Sequence, residues 1–267
     1  MSIPKMITIL GKKLPNFESE VDAENENKIR NKSLKNYARK SKKRKSEVLP
    51  LIVKLDSCSI VTPCGSMACA KCQRYRRLKF IDKWYPYFKA KRDYNMVTLI
   101  YYKEILKDEE LNVWQPDLLS QRLRKLLTRI GFDSPVIGGF DMDYHLHTHD
   151  VKGSHWMPHF HLFIPNEPEK LKLLRKYMLK SRNINAREGR KNRPMRIDKI
   201  YNVLGALSYC VKGAWLEIPW FINEEGNFKK ARCKRRITSN EVYAKSLLVL
   251  DRLSESQINF GVNVQKR

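Results

Sequence analysis

The sequence predicts an α+β fold: an antiparallel β-sheet flanked by helices, with a small cysteine-bearing module ahead of it. Three observations carry this. Segments with a two-residue apolar repeat and segments with a helical repeat follow one another as strand, helix, hairpin, helix, helix, which suits helices laid on an antiparallel sheet. Four of the six cysteines fall between Cys58 and Cys72. The chain has 267 residues, 42% of them hydrophobic, which is enough for one large domain or two small ones. There is no internal repeat.

The elements read as follows. Residues 1–50 look like a flexible peripheral arm. Its stretch "KIRNKSLKNYARKSKKRK", Lys28 to Lys45, has ten basic residues and no acidic one. It reads as a disordered arm, a helix that forms on a polyanion, or a solvated tail. Residues 51–92 form the cysteine module, opened by "LIVKLDS" as a short strand or a lead-in to the cysteines. Residues 93–256 form the main domain and 257–267 a tail. "NMVTLIYY", Asn95 to Tyr102, is a strand with Met96, Thr98 and Ile100 on one face and Val97, Leu99 and Tyr101 on the other. Both faces are mostly apolar, as in a central strand covered by helices. "QPDLLSQRLRKLLTRIG" is a helix that starts near Pro116 and stops at Gly131. Val136 to His147 and Met157 to Ile164 form a hairpin with an enlarged, polar connection. "EPEKLKLLRKYMLKS" is a helix with acidic residues early and basic ones late. A basic loop covers 182–196. "DKIYNVLGALSYCVKGAW" is a helix capped by Asp198, and "SNEVYAKSLLVLDRLS" one capped by Ser239.

The charge balance narrows the partners. Lys and Arg number 53 against 28 Asp and Glu, a formal net charge of +25. Such a chain attracts polyanions and binds phosphate backbones, so nucleic acid is the expected partner. A membrane partner is not expected: no apolar run is long enough to span a bilayer, and the most basic tract is not an amphipathic helix with exposed aromatics. The N-terminus lacks the pattern of a secretory signal. Cysteine usage points to a reducing, cytoplasmic setting rather than a disulfide framework.

The cysteines are spaced Cys58-x5-Cys64-x4-Cys69-x2-Cys72. Four thiolates make a closed tetrahedral site for structural Zn2+, with the last pair as the tight knuckle. Three cysteines with a distant histidine, or buried free thiols, are the alternatives. "QRYRRLKFIDKWYPYFK" follows at once. Its mixture of basic and aromatic residues suits a nucleic-acid surface, with Arg74, Arg76 and Arg77 as phosphate contacts or as merely solvated residues.

"WMPHFHLFI" holds the second cluster. In a strand His159 and His161 share one face, while Phe160 and Leu162 share the other, which is core. Two histidines need a third ligand, and an added oxygen ligand suits Mn2+ or Mg2+. On the partner strand Asp141, Asp143, His145 and His147 have one parity. Asp143 or Asp141 is the expected third ligand, with His145 a lesser option. His155 belongs to the second shell or the loop, and His149 to the surface. In "LSYCVKGAW", Tyr209 and Lys212 are three apart and share a helix face. A tyrosine oxygen can attack phosphorus, with metal and lysine meeting the developing charge. Alternatively Tyr209 is an ordinary amphipathic core residue and Lys212 reaches for water. Tyr201 is a weaker nucleophile candidate.

These residues resemble the HUH endonucleases, above all rolling-circle replication initiators of plasmids and the related single-strand transposases. "NMVTLI" is similar to the first motif, "MPHFHLFI" to the histidine-hydrophobic-histidine second motif, and "YCVK" to the tyrosine motif. An upstream cysteine cluster also occurs in many initiators, and "CKRRITSNE" resembles a basic segment that follows the third motif, which brings in Arg235 and Arg236 as DNA contacts. The likeness spans about residues 55 to 245. It departs from the family where aspartates stand in place of the common glutamate and where the hairpin insertion "HTHDVKGSH" is rich in histidine. The resemblance implies an RRM-like palm and a metal-dependent endonuclease and ligase that acts on single-stranded or hairpin DNA. Tyr209 would form a 5′-phosphotyrosine and free a 3′-hydroxyl. No Walker-type loop is present, so a host helicase and polymerase would be borrowed. A transposase or relaxase is the alternative within this chemistry. A non-catalytic zinc-stabilised DNA-binding regulator, and a hydrolase acting through water, are the alternatives outside it.

Overall fold

In the computed structural model, residues 14, 17–91, 93–150, 153–184 and 192–264 are described. Two helices come first, α1 (Glu20–Ala38) and α2 (Lys42–Ser57), then α3 (Ala70–Phe88). Strand β1 (Tyr94–Ile100) leads to α4 (Pro116–Ile130) and the hairpin β2 (Val136–His147) and β3 (His155–Pro165). Then follow α5 (Pro168–Met178), β4 (Met195–Lys199), α6 (Val203–Cys210), β5 (Leu216–Ile222), β6 (Phe228–Lys230), α7 (Asn240–Arg252), the single turn α8 (Glu255–Ile258) and β7 (Asn259–Val262).

Among the described residues the strands form one curled, mostly antiparallel sheet in the order β4-β1-β3-β2-β5-β6. Strand β2 is long enough to share its outer edge. Its first residues pair antiparallel with β7 and its last with β5, the parallel pair of the sheet. Helices flank this sheet, so the α+β class holds. The face bearing Val97, Leu99, Phe140, Phe160 and Leu162 is fully covered. A smaller apolar cluster, where Phe88, Met96 and Phe163 meet Leu204 and Leu207, seats α3 and α6 on the other face. Local chemistry sets the helix ends. Pro116 sits in the first turn of α4, and Gly131 closes it in the left-handed region at φ 86°, as glycine allows at little cost. Ser239 caps α7, its hydroxyl accepting from the Val242 N–H.

Several expectations are corrected. Residues 20–50 are not a loose arm. Leu34 and Tyr37 of α1, and Val48, Leu51, Ile52 and Leu55 of α2, are buried in the same core as the sheet. The boundary at 50/51 falls inside α2, and "LIVKLDS" is its last part rather than a strand, because its apolar residues recur at helical spacing against α1 and α7. The separation at 92/93 is likewise bridged, since Cys58, Cys69 and Cys72 belong to the same apolar cluster as the sheet. Asp198 caps nothing: it lies in β4, paired with β1, and α6 starts later with Asn202 accepting from the Gly205 N–H at 3.0 Å. Strands β5 and β6 were not anticipated, and residues 259–262 are a strand rather than a tail, with Phe260 and Val262 buried against β2. No described helix is long and apolar enough to cross a membrane. The expectations for residues 1–13, and for the middle of the basic loop at 185–191, lie outside the described residues.

Candidate metal centres and the tyrosine beside them

The hairpin register places Asp141 directly opposite His159, Asp143 opposite Met157 and His145 opposite His155. Paired residues of a sheet point to one face, so a carboxylate faces the histidine pair. Asp141, His159 and His161 each bring a ligand atom within 4.8 Å of the others, all buried. Asp141 Oδ2 is 3.6 Å from His159 Nε2 and 3.8 Å from His161 Nε2, and Asp143 Oδ2 is 3.7 Å from His159 Nε2. The trio is therefore His159, His161 and Asp141, with Asp143 beside it. His145 turns away, accepting at Nδ1 from the Trp220 indole N–H at 2.9 Å.

Neighbouring polar groups hold the imidazoles. His159 Nδ1 lies 3.0 Å from the Met157 carbonyl, and a donor there leaves Nε2 with its lone pair toward the carboxylates. His161 Nδ1 meets Thr98 Oγ1 at 3.0 Å, because β1 pairs Thr98 with His161. Fixing the far ring nitrogen is how metal-ligating histidines are oriented. Asp143 Oδ1 and His161 Nε2 are buried without a hydrogen-bond partner, and Asp141 Oδ2 beside them has the Lys212 ammonium for company. A buried polar atom left so is costly, and converging atoms of this kind are what a cation would satisfy. The donor set fits a divalent ion, and the residues are able to hold one.

Two ammonium groups flank the carboxylates. Lys212 Nζ is 2.9 Å from Asp141 Oδ2, an ion pair outside hydrogen-bond alignment, and Lys234 Nζ donates to Asp143 Oδ2 at 2.6 Å. Burial opposes the charge on Asp141, but Lys212 and then His159 outweigh it and hold the carboxyl well below the usual range. Burial also opposes the charge on Lys212, and Asp141 and Asp143 reverse that, so its pKa is raised. Burial, reinforced by His159, lowers His161 to about 2, which leaves it neutral as a ligand must be.

Tyr209 ends α6 against this trio, its ring 4.5 Å from that of His161 and 43% exposed. Gly139 permits the approach: a Cβ there would stand 2.4 Å from the Cys210 carbonyl oxygen. Burial, partly offset by Lys212, raises the phenol above its ordinary value. Lys212 is not on the helix as expected, since α6 stops at Cys210 and Val211 leaves helical geometry. Its ammonium nonetheless lies 5.5 Å from the Tyr209 ring. Tyr201 is 88% exposed and lies outside the cluster.

The four cysteines converge. Sγ–Sγ distances are 3.7 Å for Cys58–Cys72 and Cys64–Cys72 and 3.5 Å for Cys58–Cys69. A tetrahedron of Zn–S bonds of about 2.3 Å has edges of about 3.8 Å. The cluster is therefore able to hold a metal ion with its four thiolates, and no histidine is needed. Cys69 is pushed far toward the thiolate by hydrogen bonds from Cys64 and Cys72, whose own values rise in turn. The amide of Asn27, from α1, donates to Cys69 Sγ at 3.2 Å and accepts from the Ala70 N–H.

The arginines expected at DNA are tied to the protein. Arg77 pairs with Glu18 and donates to Ser208 Oγ at 2.6 Å, Arg74 donates to the Glu18 carbonyl at 2.9 Å, and Arg76 donates to the Gly65 carbonyl. Arg235 donates to the buried Glu217 at 2.7 Å, and Arg236 pairs with Glu26. Sequence reasoning missed Lys234 and Thr98. Thr98 was the polar residue on its strand face, and that was the available signal. Lys234 adjoins Arg235 but sits on no periodic element, so its direction was not readable. A cleft of about 520 Å3 opens beside the site between α1 and the Lys212–Lys234 segments. Comparison with known protein families, with curated proteins and with solved structures finds no match.

Proposed function

We propose that this chain is a metal-dependent single-strand DNA endonuclease and ligase of the HUH type, acting by tyrosine transesterification and initiating rolling-circle replication of a plasmid in the cytoplasm. One observation carries the reading: a single tyrosine at a helix end stands against a buried His-His-Asp trio, with a lysine between them. Mn2+ or Mg2+ held by His159, His161 and Asp141 would supply Lewis-acid polarisation of the scissile phosphate. Zn2+ would occupy the cysteine cluster as a structural ion.

The chain's own residues do the rest. Tyr209 Oη attacks phosphorus; the Tyr209 O–P bond forms as the bond from phosphorus to the 3′ oxygen breaks. The phenolic proton is lost and the leaving 3′ oxygen gains one, so the step is balanced without water or ATP. Lys212 lies where it can neutralise charge on the phosphate or the phenolate. The 3′-hydroxyl primes synthesis by a host polymerase with a host helicase, and its attack on the phosphotyrosine rejoins the strand. Asp143, held by Lys234, stays beside the trio and keeps His159 in place.

The test is a labelled single strand or hairpin carrying a candidate origin, incubated with the full chain and Mn2+ or Mg2+. A denaturation-resistant protein–DNA adduct is expected, and Tyr209→Phe abolishes it while DNA binding remains. An adduct that survives in Tyr209→Phe would sink the nucleophile assignment. Metal-dependent cleavage with no adduct would favour a hydrolase acting through water, and binding with neither would favour a zinc-stabilised regulator. Transfer of the adduct to a foreign strand would point to a transposase or relaxase.

A further inference from the structure

The sheet face that carries the metal trio does not end there. Strand β2 runs on from Asp143 to His145 and His147, and the parallel pairing sets Ile218 beside His145 and Trp220 beside His147. Strand β6 then sets Lys230 beside Trp220 and Phe228 beside Ile222. Neighbours in register share a face, so these side chains extend the same surface outward. The Trp220–His145 hydrogen bond, at 2.9 Å, confirms the shared face. From Leu216 to Ile222 the extension covers roughly 20 Å at about 3.3 Å per residue, which is room for several nucleotides.

The chemistry along this strip is flat rings and cations. The His147 and Trp220 rings stack 5.5 Å apart at an interplanar angle of 4°. The indole N–H is tied to His145, so the ring is already fixed before any ligand arrives. Farther out Phe228 is 50% exposed and Ile222 39% exposed, apolar groups held on a short hairpin rather than in the core. Lys230 adjoins them, and Lys234 lies at the inner end beside Asp143. Alternating stacking surfaces and ammonium groups suit single-stranded nucleic acid, whose bases have free π-faces and whose backbone is anionic. The net charge of +25 fits the same occupant.

We propose that the strip from His147 and Trp220 to Phe228 binds unpaired bases of the DNA strand next to the scissile phosphate by stacking. This rests on the proposed nicking function for the identity of the strand. The strip holds bases in place while Lys230 meets the backbone, so it contributes affinity and alignment and takes no part in bond making. It selects unpaired over paired DNA, because bases inside a duplex already stack on each other.

The experiment uses the full chain carrying Tyr209→Phe, so that binding is read without turnover. Fluorescence anisotropy at fixed salt compares a labelled 12-nucleotide oligothymidine with an abasic strand of the same length. The base-bearing strand is expected to bind more tightly. Phe228→Ala should weaken it by roughly five- to a hundredfold, the range for losing one stacked base, and leave the abasic strand unchanged. Phe228→Trp should restore the affinity. Equal affinity for the two strands, an equal loss on both, or no loss with Phe228→Ala each overturns the proposal; the last would leave the patch to another partner such as a protein. The nicking reading fails separately: base-selective binding that needs Phe228, with no adduct formed by the unmodified chain on any origin strand, keeps the strip and removes the chemistry. An adduct with base-independent binding does the reverse.

Discussion

At the scale of single residues, the site is an electrostatic balance completed before any ion enters. Asp141 is buried, and an unpaired carboxylate there would be costly. Lys212 offsets it at 2.9 Å. The signs define a pH window. A carboxyl held below its unfolded value of 3.8 adds stability that is complete above that pH and lost as the pH falls through the folded value. An ammonium held above its unfolded value of 10.5 adds stability that is complete below that pH and lost as the pH rises through the folded value. The pair is therefore whole across the neutral range. Lys212→Gln leaves the carboxylate uncompensated and should cost on the order of 3 kcal/mol in urea denaturation at pH 7. The deficit should shrink toward pH 4, where Asp141 protonates instead, and should shrink on adding Mn2+, which replaces the lost cation. Equal stability of the two chains at pH 7 would show that the ammonium is not what keeps Asp141 ionised. The trio itself was largely readable in the sequence, because parity alone put His159, His161, Asp141 and Asp143 on one face. The choice between the aspartates was not, because it depends on a register set by the long hairpin connection.

At the scale of elements, the tyrosine is delivered by how closely α6 can lie on the sheet. Gly139 faces the end of that helix, and a Cβ would meet the Cys210 carbonyl at 2.4 Å, a backbone atom that cannot swing aside. Gly139→Ala must lift the end of α6 and carry Tyr209 from His161. A displacement of about 1 Å from reacting geometry costs on the order of a hundredfold in rate. Adduct formation should fall by about that factor, while circular dichroism and binding of Mn2+ at the trio stay near those of the unaltered chain, since the added Cβ meets Cys210 and Val211 rather than any atom of β3. Unchanged adduct formation would mean the helix end is free to adapt. The strongly periodic elements α4, β1, β2, β3, α5 and α7 were legible because each carries a clear repeat with a stop or a cap. Strands β4, β5 and β6 were not: β4 and β6 are short and polar, and β5 reads as an apolar run like a helix end until its pairing with β2 is known. The basic tract hid α1 and α2, because charge density dominates "KIRNKSLKNYARKSKKRK" while most of what α1 buries is polar, Asn27, Arg30, Asn31 and Ser33 beside Leu34 and Tyr37, so its buried face shows no apolar repeat.

At the scale of the whole molecule, the cysteine cluster, the first two helices and the sheet form one body rather than a module on a linker. Six apolar side chains of α1 and α2 are buried in the common core: Leu34, Tyr37, Val48, Leu51, Ile52 and Leu55. At about 1.5–3 kcal/mol each they sum to roughly 9–18 kcal/mol as an upper estimate, as large as the net stability of a typical domain. Ion pairs from Arg44 to Glu241 at 3.0 Å and from Lys54 to Asp251 at 2.8 Å clamp α2 to α7. The deeply buried Arg30 of α1 donates to the Ala68 carbonyl at 2.8 Å, and Asn27 reaches Cys69. A metal held by the cysteine cluster would thereby be coupled to α1 and, through the packing of α1 and α2, to α7. A chelator strong enough to strip that ion should lower the melting temperature of the entire chain in a single transition, with near-ultraviolet dichroism of the sheet aromatics lost together with far-ultraviolet helix signal. Cys69→Ser should behave the same way, and should reduce DNA nicking in proportion to the fraction unfolded rather than by changing the pH or ion dependence of the folded remainder. Two separate transitions, with the sheet outlasting the helices, would instead mean that residues 20–92 are an independent module and that the shared core contributes little to holding them to the sheet.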